Sequence, residues 1–283
     1  MGNKVKPTYI GIGAQKCAST WLHRMLEEHP EVGVGMQKEI DFFSYHFDHG
    51  YQWYERQFTN CEQKLAVGEI SPSYFCEPAV PQRVQQYQPK AKILVSFRDP
   101  VQRALSNHRH EVRVGHFTEE GLSFEAGLAN NPMYVEQGRY AAHLKRWLQY
   151  FPAEQILVVL MEDIEKDPLA VARKVYAFLG VDESYEPQYL SKQFNKSYAN
   201  RSRALLGIKD ALYKLTRTPG FGWLWKLGSL LGLKAMYRGV NTLPSDIAIP
   251  EPSENTLAEL RKQFAPEVRK LSELIQRPLD AWL

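Results

Sequence analysis

The segment YIGIGAQKCASTWLHRMLEEHP, near the start of the chain, begins with a short apolar run. Small residues, a lysine and two hydroxyl side chains follow this run. Gly13 lies where the chain can turn tightly, Lys16 supplies a positive charge, and Ser19 and Thr20 begin a helical pattern. Glycine lets the backbone approach a ligand closely, and the unpaired N–H groups of a helix N-terminus favour an anion. The segment therefore predicts a phosphate-binding loop.

This loop departs from the Walker A pattern of nucleoside triphosphatases, G-x-x-x-x-G-K-[ST]. Gln15 precedes Lys16 where glycine should stand, and Cys17 follows where serine or threonine should stand. The hydroxyl that holds magnesium is therefore missing from its usual place. A P-loop kinase or triphosphatase is disfavoured, and a glycine-rich strand–helix turn without a ligand remains open.

A second segment, KILVSFRDPVQRALSNHRHEV, places polar residues at the end of a buried strand. Arg98 suits a bidentate phosphate contact, and the hydroxyl of Ser106 follows two helical turns later. Pro100 suits the first turn of a helix. Asp99 either pairs with Arg98 or caps that helix, and a purely structural Arg–Asp pair is an equal alternative.

A third segment, QKEIDFFSYHF, places Glu39 beside Lys38 and before the Phe42–Phe43 pair. A carboxylate walled by aromatic rings has a raised pKa and can act as a general base. A surface glutamate beside a phenylalanine pair that anchors the core is the interpretation that the residues alone favour. The segment GEISPSYF, residues 68–75, indicates by itself only that a loop follows a strand.

The three cysteines, Cys17, Cys61 and Cys76, show neither a CxxC pattern nor a Cys/His spacing. This argues against a disulfide framework and a structural zinc site, and reduced thiols are the simplest interpretation. Lys16 and a helix N-terminus could lower the pKa of the Cys17 thiol. We nevertheless interpret Cys17 as a small residue tolerated near a phosphate.

The histidines offer weaker signals. His143 is predicted to lie on the surface of a helix, although some enzymes of transfer chemistry use a histidine base. His108 and His110 cannot share a helix face at their spacing, so a metal site with His116 is not predicted.

The pattern of elements that must position these residues alternates between strands and helices. The strand candidates are apolar almost throughout, as expected of strands buried on both faces, and are Thr8–Ile12, Leu65–Ile70, Lys92–Phe97 and Ile156–Leu160. The helix candidates are Thr20–Glu28, Val80–Gln88, Val101–Val114, Tyr140–Tyr150 and Leu169–Leu179. The alternation predicts a three-layer α/β domain with a central parallel sheet and right-handed crossovers. Ligands of such sheets bind beyond the carboxyl ends of the strands.

The C-terminal part breaks this alternation. Residues 198–243 are basic and amphipathic, and we interpret them as a helical insertion, either a lid, an acceptor-binding cap, a membrane-surface element over 201–238 or an ordinary helical hairpin. After a proline-rich connector, residues 255–283 are predicted to form helices that pack on the core.

Length and charge set further bounds. The chain has 283 residues and a net charge of only +3, which does not favour a nucleic-acid partner. We expect one domain over 1–283, with a nucleotide-binding core over 7–180. Neither a signal-peptide pattern nor an apolar run of about 20 residues is visible, so a cytoplasmic location is expected.

Taken together, the segments resemble the PAPS-dependent sulfotransferase family. KCAST resembles the family's 5′-phosphosulfate loop, FRDPVQRALS its 3′-phosphate segment, and GRYAAHLKRWLQYFPAEQILVVLMEDIEKDP its next block. KEIDFFSYHF and VGEISPSYF are closest to the heparan-sulfate-type branch of N- and 3-O-sulfotransferases. The likeness runs from about Pro7 to Gly180 and resumes in RPLDAWL, and the chain is identified as a soluble, bacterial-type member.

The resemblance implies a sulfotransferase fold of P-loop-like character and transfer of a sulfuryl group from 3′-phosphoadenosine 5′-phosphosulfate (PAPS) to an acceptor. The product is 3′-phosphoadenosine 5′-phosphate (PAP), and no metal is required. The resemblance also implies that Lys16 stabilises the leaving phosphate and that Glu39 is the general base. The residues that it implies for donor binding are Gln15, Lys16, Cys17, Ala18, Ser19, Thr20, Trp21, Arg98 and Ser106, with Arg201 and Arg203 as further candidates.

Departures from the family pattern keep alternatives open. Ala18 stands where the family usually has glycine, and Ile70 replaces the lysine that follows Glu69 in the heparan-type branch. The acceptor is a saccharide, a lipid-like compound or a carrier-bound hydroxyl compound, sulfated on oxygen or nitrogen. The competing functions are a P-loop kinase or triphosphatase, and an inactive nucleotide-binding module that contacts a membrane or a partner.

Overall fold

A computed structural model describes residues 5–114, 116–117, 121–188, 190, 199–200, 242–243 and 249–283. The chain divides into two compact units. The first contains Met1–Ser106, Pro132–Phe194 and Ser253–Leu283, and the second contains Asn107–Asn131 and Asn195–Pro252. The assignment of 1–283 to a single sulfotransferase domain stays a prediction.

A parallel sheet of five strands forms the centre of the first unit, in the order β2-β3-β1-β4-β5. Its strands are β1 (Tyr9–Gly13), β2 (Val32–Val34), β3 (Ala66–Ile70), β4 (Lys92–Phe97) and β5 (Ile156–Leu160). The predicted parallel sheet is confirmed, and its four predicted strands agree with the structure to within one residue at each end. β2 was not predicted, because three residues are too few to show a period.

Helices connect and flank the strands. They are α1 (Ser19–Glu28), α2 (Tyr51–Glu55), α3 (Val80–Tyr87), α4 (Pro100–Arg113), α5 (Phe124–Asn130), α6 (Met133–Glu136), α7 (Tyr140–Leu148), α8 (Met161–Lys166), α9 (Pro168–Leu179) and α10 (Glu254–Leu274). Short 3-10 helices cover Phe47–His49, Arg56–Phe58, Pro72–Tyr74, Ala153–Gln155 and Asp280–Trp282.

The two faces of the sheet bury different helices, which makes three layers. On one face, Leu94 belongs to a core cluster with residues of α1 and α9. Phe97 lies three residues further along β4 and therefore points to the opposite face. There its ring stacks on Tyr140 of α7, with 4.6 Å between ring centroids. The predicted three-layer α/β class is confirmed.

Helix α10 and the residues after it return to the first unit. The side chain of Glu267 accepts a hydrogen bond from the backbone N–H of Ala142 in α7, at 3.2 Å. The two terminal guanidinium nitrogens of Arg277 donate to the two carboxylate oxygens of Asp163 in α8, and the Arg277 Nη2–Asp163 Oδ1 distance is 2.6 Å. The C-terminal stretch is thereby attached to the layers on either side.

The predicted helical insertion over 198–243 lies outside the described residues except at its two ends. There, β6 (Ala199–Asn200) and β7 (Thr242–Leu243) pair antiparallel. Arg201 and Arg203 also lie outside the described residues.

Candidate active site

The loop between β1 and α1 has an unusual backbone. Lys16 and Ala18 both take the left-handed conformation, each with φ of 67°. Gly13 has φ of 126°, and a Cβ at this position would lie 3.0 Å from the carbonyl oxygen of Pro72. Left-handed residues in a tight turn are typical of concave anion-binding loops.

The N-terminus of α1 is left open to such an anion. Ala18 is its N-cap and, within the described residues, contributes no side-chain capping hydrogen bond. The first turn, which begins at Ser19, carries no acidic side chain. Among the described residues, no side chain therefore caps the first N–H groups of α1 or places a negative charge at the positive end of its dipole.

Ser96 ties this loop to β4. Its carbonyl accepts a 2.8 Å hydrogen bond from the N–H of Ala14, and its hydroxyl donates to the carbonyls of Gly13, at 3.2 Å, and Cys17. Because β4 leads two residues later into Arg98, the loop and the Arg98 segment meet at the same edge of the sheet.

The Cys17 side chain lies at this junction. It is fully buried, and its thiol is 3.5 Å from the hydroxyl of Tyr140. Burial raises the pKa of the thiol, against the opposing hydrogen bond of Tyr140 and the positive charges of Arg103 and Arg98. The thiol is therefore protonated at neutral pH, which agrees with its interpretation as a small packed residue.

Asp99 caps α4 and does not pair with Arg98. Its Oδ1 accepts hydrogen bonds from the N–H groups of Val101, at 2.7 Å, and Gln102, at 3.2 Å. The Arg98 guanidinium and the Ser106 hydroxyl are both half-buried and have no side-chain partner among the described residues. This leaves Arg98 able to bind an anion beside the loop.

Arg103, between these two residues on α4, has a different role. It is fully buried, and its guanidinium donates to the carbonyl of Tyr134 and, at 2.9 Å, to the side chain of Gln137. It holds the segment after α5 in place and is not available to a ligand.

Glu39 is exposed, and the predicted aromatic wall around it is absent from the part of the chain that the structure describes. The side chain is 43% accessible and forms an ion pair with Lys38. Phe42 and Phe43 are fully buried beneath the loop, and Phe42 stacks on Tyr54 at 4.5 Å between centroids. The alternative of a surface glutamate beside a core-anchoring phenylalanine pair describes this geometry, and it leaves Glu39 accessible to an acceptor.

Sequence reasoning missed the buried carboxyl of Glu69 in β3. Its Oε1 accepts hydrogen bonds from the hydroxyls of Tyr74 and, at 3.2 Å, Tyr54. Its Oε2 accepts from the hydroxyl of Ser71 and, at 3.3 Å, the N–H of Ile40. Burial raises the pKa of Glu69 to about 7, although the hydrogen bonds from Ser71, Tyr74 and Tyr54 oppose this shift. A lone carboxylate inside an apolar strand was the signal in the sequence.

Asp41 also faces this part of the molecule. Its carboxylate accepts a 2.6 Å hydrogen bond from the hydroxyl of Ser73, which in turn lies 2.8 Å from the hydroxyl of Ser44. Burial raises the pKa of Asp41 above its ordinary value, with the Ser73 hydrogen bond opposing and the Glu39 charge adding to the shift.

The remaining predicted residues lie in or next to the loop. Ser19 is buried, and Gln15 and Thr20 are half-buried. The indole of Trp21 packs in the core, so only its backbone N–H can serve a ligand in the first turn of α1. Ile70, which replaces the lysine of the heparan-type pattern, is buried and contributes no charge.

The prediction that His143 lies on a helix surface is wrong. The ring is 2% exposed, and its Nε2 lies 2.9 Å from the carbonyl oxygen of Glu136. His143 shares with Tyr140, Leu144 and Trp147 the spacing of a single helix face, and that face packs inward. Burial lowers the pKa of His143, so the ring is neutral at pH 7.

The other histidines of this group are also accounted for. His108 is buried with its Nε2 2.9 Å from the carbonyl oxygen of Leu122, and His116 pairs with Glu111. Within the described ranges, we find no group of three histidine, cysteine, aspartate or glutamate side chains placed to hold a metal ion.

Residues 7–209 match the sulfotransferase domain family. The chain belongs to the sulfotransferase family. It is 34% identical over 203 residues to the human heparan sulfate glucosamine 3-O-sulfotransferase 3B1, an alignment that covers 69% of this chain and 51% of the relative. It is 29% identical over 301 aligned positions to the mouse bifunctional heparan sulfate N-deacetylase/N-sulfotransferase 4, which covers 98% of this chain and 31% of that protein.

Among solved structures, a sulfotransferase from Alicyclobacillus acidocaldarius matches with a TM-score of 0.72 and 28% identity, over 98% of this chain and 99% of the other. This sulfotransferase chain spans about half the length, or less, of the curated relatives just named. None of its helices in the described ranges is both long and apolar enough to cross a bilayer.

Proposed function

We propose that this protein is a PAPS-dependent sulfotransferase whose donor site lies between the Lys16 loop and Arg98. The observation that carries the proposal is the junction at the carboxyl ends of β1 and β4. There, a loop lysine lies beside a helix N-terminus and an arginine that have no side-chain cap and no side-chain partner among the described residues, close to Ser96 and Cys17. Membership of the sulfotransferase family favours a phosphosulfate nucleotide over a nucleoside triphosphate as the anion.

The residues present fit such a donor. The first N–H groups of α1 and the hydroxyls of Ser19 and Thr20 suit its 5′-phosphate. Lys16 suits the phosphosulfate bridge, where negative charge develops as the bond to sulfur breaks. The Arg98 guanidinium suits the 3′-phosphate, and the Ser106 hydroxyl, two helical turns later, suits it as a second contact. Gln15, Cys17, Ala18 and Trp21 contribute backbone and shape.

The proposed reaction joins an acceptor atom to the sulfur as the sulfur–oxygen bond to the 5′-phosphate breaks. PAPS supplies the sulfuryl group and leaves as PAP. Glu39 takes the proton of the acceptor, and its exposure places no barrier between the carboxylate and an acceptor in solution. We expect the transfer to need no metal, because a sulfuryl group carries less negative charge than a γ-phosphoryl group.

For the acceptor, we propose a hydroxyl or amine of a saccharide. The support is the similarity to a heparan sulfate glucosamine 3-O-sulfotransferase and to a bifunctional N-deacetylase/N-sulfotransferase. Ile70 supplies no cation where the heparan-type pattern has lysine, so recognition of an anionic saccharide would differ from that pattern. A lipid-like or carrier-bound acceptor, with a membrane-surface role for 201–238, is the alternative, and an acceptor screen decides between them.

We also propose a cytoplasmic location. All three cysteines are free thiols, as expected of a reducing compartment. Fractionation of cells that express the full natural protein, with compartment markers, tests this proposal.

The test of the donor site compares two nucleotides and three variants. Arg98→Ala should weaken PAP binding by roughly 10- to 100-fold and leave unchanged the binding of adenosine 5′-phosphate, which lacks the 3′-phosphate.

Lys16→Ala should lower turnover by about 10²- to 10³-fold, whereas the exposed-lysine control Lys90→Ala should not change it. Glu39→Gln should lower turnover with normal PAP binding.

The assignments of Arg98 and Lys16 would be contradicted by different results. Equal losses for both nucleotides in Arg98→Ala would remove the 3′-phosphate assignment, and full turnover in Lys16→Ala would remove the loop assignment. Tight PAP binding without transfer to any acceptor of the screen would favour the inactive nucleotide-binding module.

A further inference from the structure

The loop that carries Glu39 has a strained backbone. Glu39 and Asp41 both take the left-handed conformation, with φ of 60° and 54°. Residues other than glycine adopt this region at an energetic cost, and they keep it only where the surroundings enforce it. Some part of the structure must therefore hold residues 39–43 in this shape.

Three backbone N–H groups of the loop are hydrogen-bonded to one buried carboxyl group, either directly or through one hydroxyl. The N–H of Ile40 donates directly to Glu69 Oε2, at 3.3 Å. The N–H of Asp41 donates to the hydroxyl of Ser71, at 2.9 Å, and that hydroxyl donates to the same oxygen. The N–H of Phe43 donates to the hydroxyl of Tyr74, at 3.3 Å, and that hydroxyl donates to Glu69 Oε1.

These contacts act at the bonds that set the loop conformation. The N–H of Ile40 belongs to the peptide group that follows Glu39, so fixing it fixes ψ of Glu39. The amide nitrogen of Asp41 is one end of the N–Cα bond whose rotation is φ of Asp41, so holding its N–H restricts that rotation. The side chain of Ile40, between the two left-handed residues, is fully buried and adds a third anchor.

We propose that Glu69, acting through Ser71 and Tyr74, is a positioning residue that holds the Glu39 loop in its reactive conformation. The inference rests on the proposed role of Glu39 as the general base. Glu69 itself cannot be that base, because it is 1% exposed and cannot touch an acceptor.

The same carboxyl also relates the loop to the donor site. β3 pairs with β1 in the register Glu69–Ile10, and β1 leads directly into the Lys16 loop. The N–H of Ser71 donates to the carbonyl of Gly11, at 2.9 Å. The position of Glu39 relative to Lys16 is thus set through two paired central strands of the sheet.

Tyr74 and Tyr54 offer a matched pair of variants. Both hydroxyls are buried and both donate to Glu69 Oε1. Among the contacts of the described residues, the Tyr74 hydroxyl also accepts from the loop backbone and the Tyr54 hydroxyl does not. Tyr74→Phe and Tyr54→Phe each remove one buried hydroxyl and keep the ring. Ser71→Ala removes the link to Asp41 alone.

The experiment measures two quantities in these three variants. The first is hydrogen exchange of peptides that cover residues 39–44, in the free protein, which requires no acceptor. The second is kcat and the KM for PAPS, with desulfated heparan sulfate as the acceptor probe. Retained PAP binding serves as the check of folding.

We expect Ser71→Ala and Tyr74→Phe to speed exchange in residues 39–44 by about tenfold or more and to lower kcat by about 10- to 100-fold, with KM for PAPS within about twofold. Tyr54→Phe should stay within about twofold of the wild type in both quantities. Unchanged exchange in Ser71→Ala and Tyr74→Phe, or equal effects of the two tyrosine variants, would overturn the proposal. If Ser71→Ala does not fold, the tyrosine pair decides.

Failure of the proposed function gives a different result. Full turnover in Glu39→Gln removes the role of the base, and absence of turnover with desulfated heparan sulfate in the wild type removes that acceptor. In either case the exchange comparison still decides whether Glu69 holds the loop.

Discussion

Ala18 is a single residue whose conformation explains a preference of the family pattern. The left-handed backbone at φ of 67° is the region where glycine pays no steric penalty, and the family usually has glycine here. The loop keeps this conformation with alanine, at some cost in stability.

Ala18→Gly should therefore stabilise the ligand-free protein by about 0.5–1 kcal/mol, because it removes the left-handed strain. Ala177→Gly, at an exposed position in α9, is the control and should destabilise by a similar amount. Urea unfolding gives both values. A loss of stability in Ala18→Gly would contradict the strained geometry.

The buried carboxyl group of Glu69 makes the stability of the protein depend on pH. Because its pKa is raised from 4.5 to about 7 on folding, the folded state binds the proton more tightly than the unfolded state. The stabilisation of the folded state by this bound proton is fully present below pH 4.5 and is lost as the pH rises through about 7.

Glu69→Gln should remove this loss, because the amide cannot ionise. The stability of the variant relative to the wild type should rise between about pH 4.5 and 7, by at most about 1.4 kcal/mol per pH unit. Urea unfolding at several pH values measures it, with the exposed Glu154→Gln as the control. Parallel stability curves for wild type and Glu69→Gln would show that the carboxyl does not titrate in this window.

The residues that sequence reasoning missed share one physical property. Glu69, Ser71 and Tyr74 acquire a role only when the loop over residues 39–43, about thirty residues earlier in the chain, lies on top of them. No local pattern encodes that contact. Lys16, Arg98 and Asp99 could be interpreted from the sequence because each lies at a strand end or a helix start, where the local pattern fixes its position.

At the scale of elements, strands of five or six residues and helices of eight or more were predicted, and shorter elements were not. β4 and β5 have the predicted bounds, and α7 and α9 differ by two residues or fewer at either end. β2 and α8 were missed because three and six residues carry too little periodicity. The inward face of α7 could have been found, since His143 lies at a helical spacing shared with three apolar or aromatic neighbours.

The attachment of the C-terminal stretch to α8 depends on Arg277 and Asp163. The two hydrogen bonds of Arg277 lower the pKa of Asp163. The pair therefore stabilises the folded state above the ordinary pKa of aspartate, and this stabilisation is lost as the pH falls through the pKa of Asp163 in the folded state. The pair is partly exposed, so its contribution to stability is limited by solvent and salt.

A double-mutant cycle of Arg277→Ala and Asp163→Asn should give a coupling energy of about 0.5–1 kcal/mol at neutral pH. The coupling should shrink in about 1 M salt, because salt screens exposed charges. Urea unfolding of the four proteins measures it. Additive effects of the two changes at low salt would show that the pair does not join these elements.

At the scale of the whole molecule, the sheet order brings the two segments of the proposed donor site together from distant parts of the sequence. β1 and β4 are neighbours, so Lys16 and Arg98 meet at one edge although about eighty residues separate them. A ligand that contacts both should bind the folded state only and therefore stabilise the whole first unit.

PAP at a hundred times its dissociation constant should raise the free energy of unfolding by about 2.7 kcal/mol. Arg98→Ala, at the same PAP concentration, should show a clearly smaller increase because its affinity is lower. Thermal unfolding with and without PAP measures the effect. An equal increase in both proteins would place the nucleotide elsewhere.

The most direct test of the sulfonucleotide site is calorimetric titration of the purified protein with PAP and then with ATP, each in EDTA and in magnesium. The account predicts tight PAP binding that EDTA does not change, together with weak ATP binding. ATP binding that requires magnesium, with no heat from PAP, would contradict the account and favour a P-loop kinase.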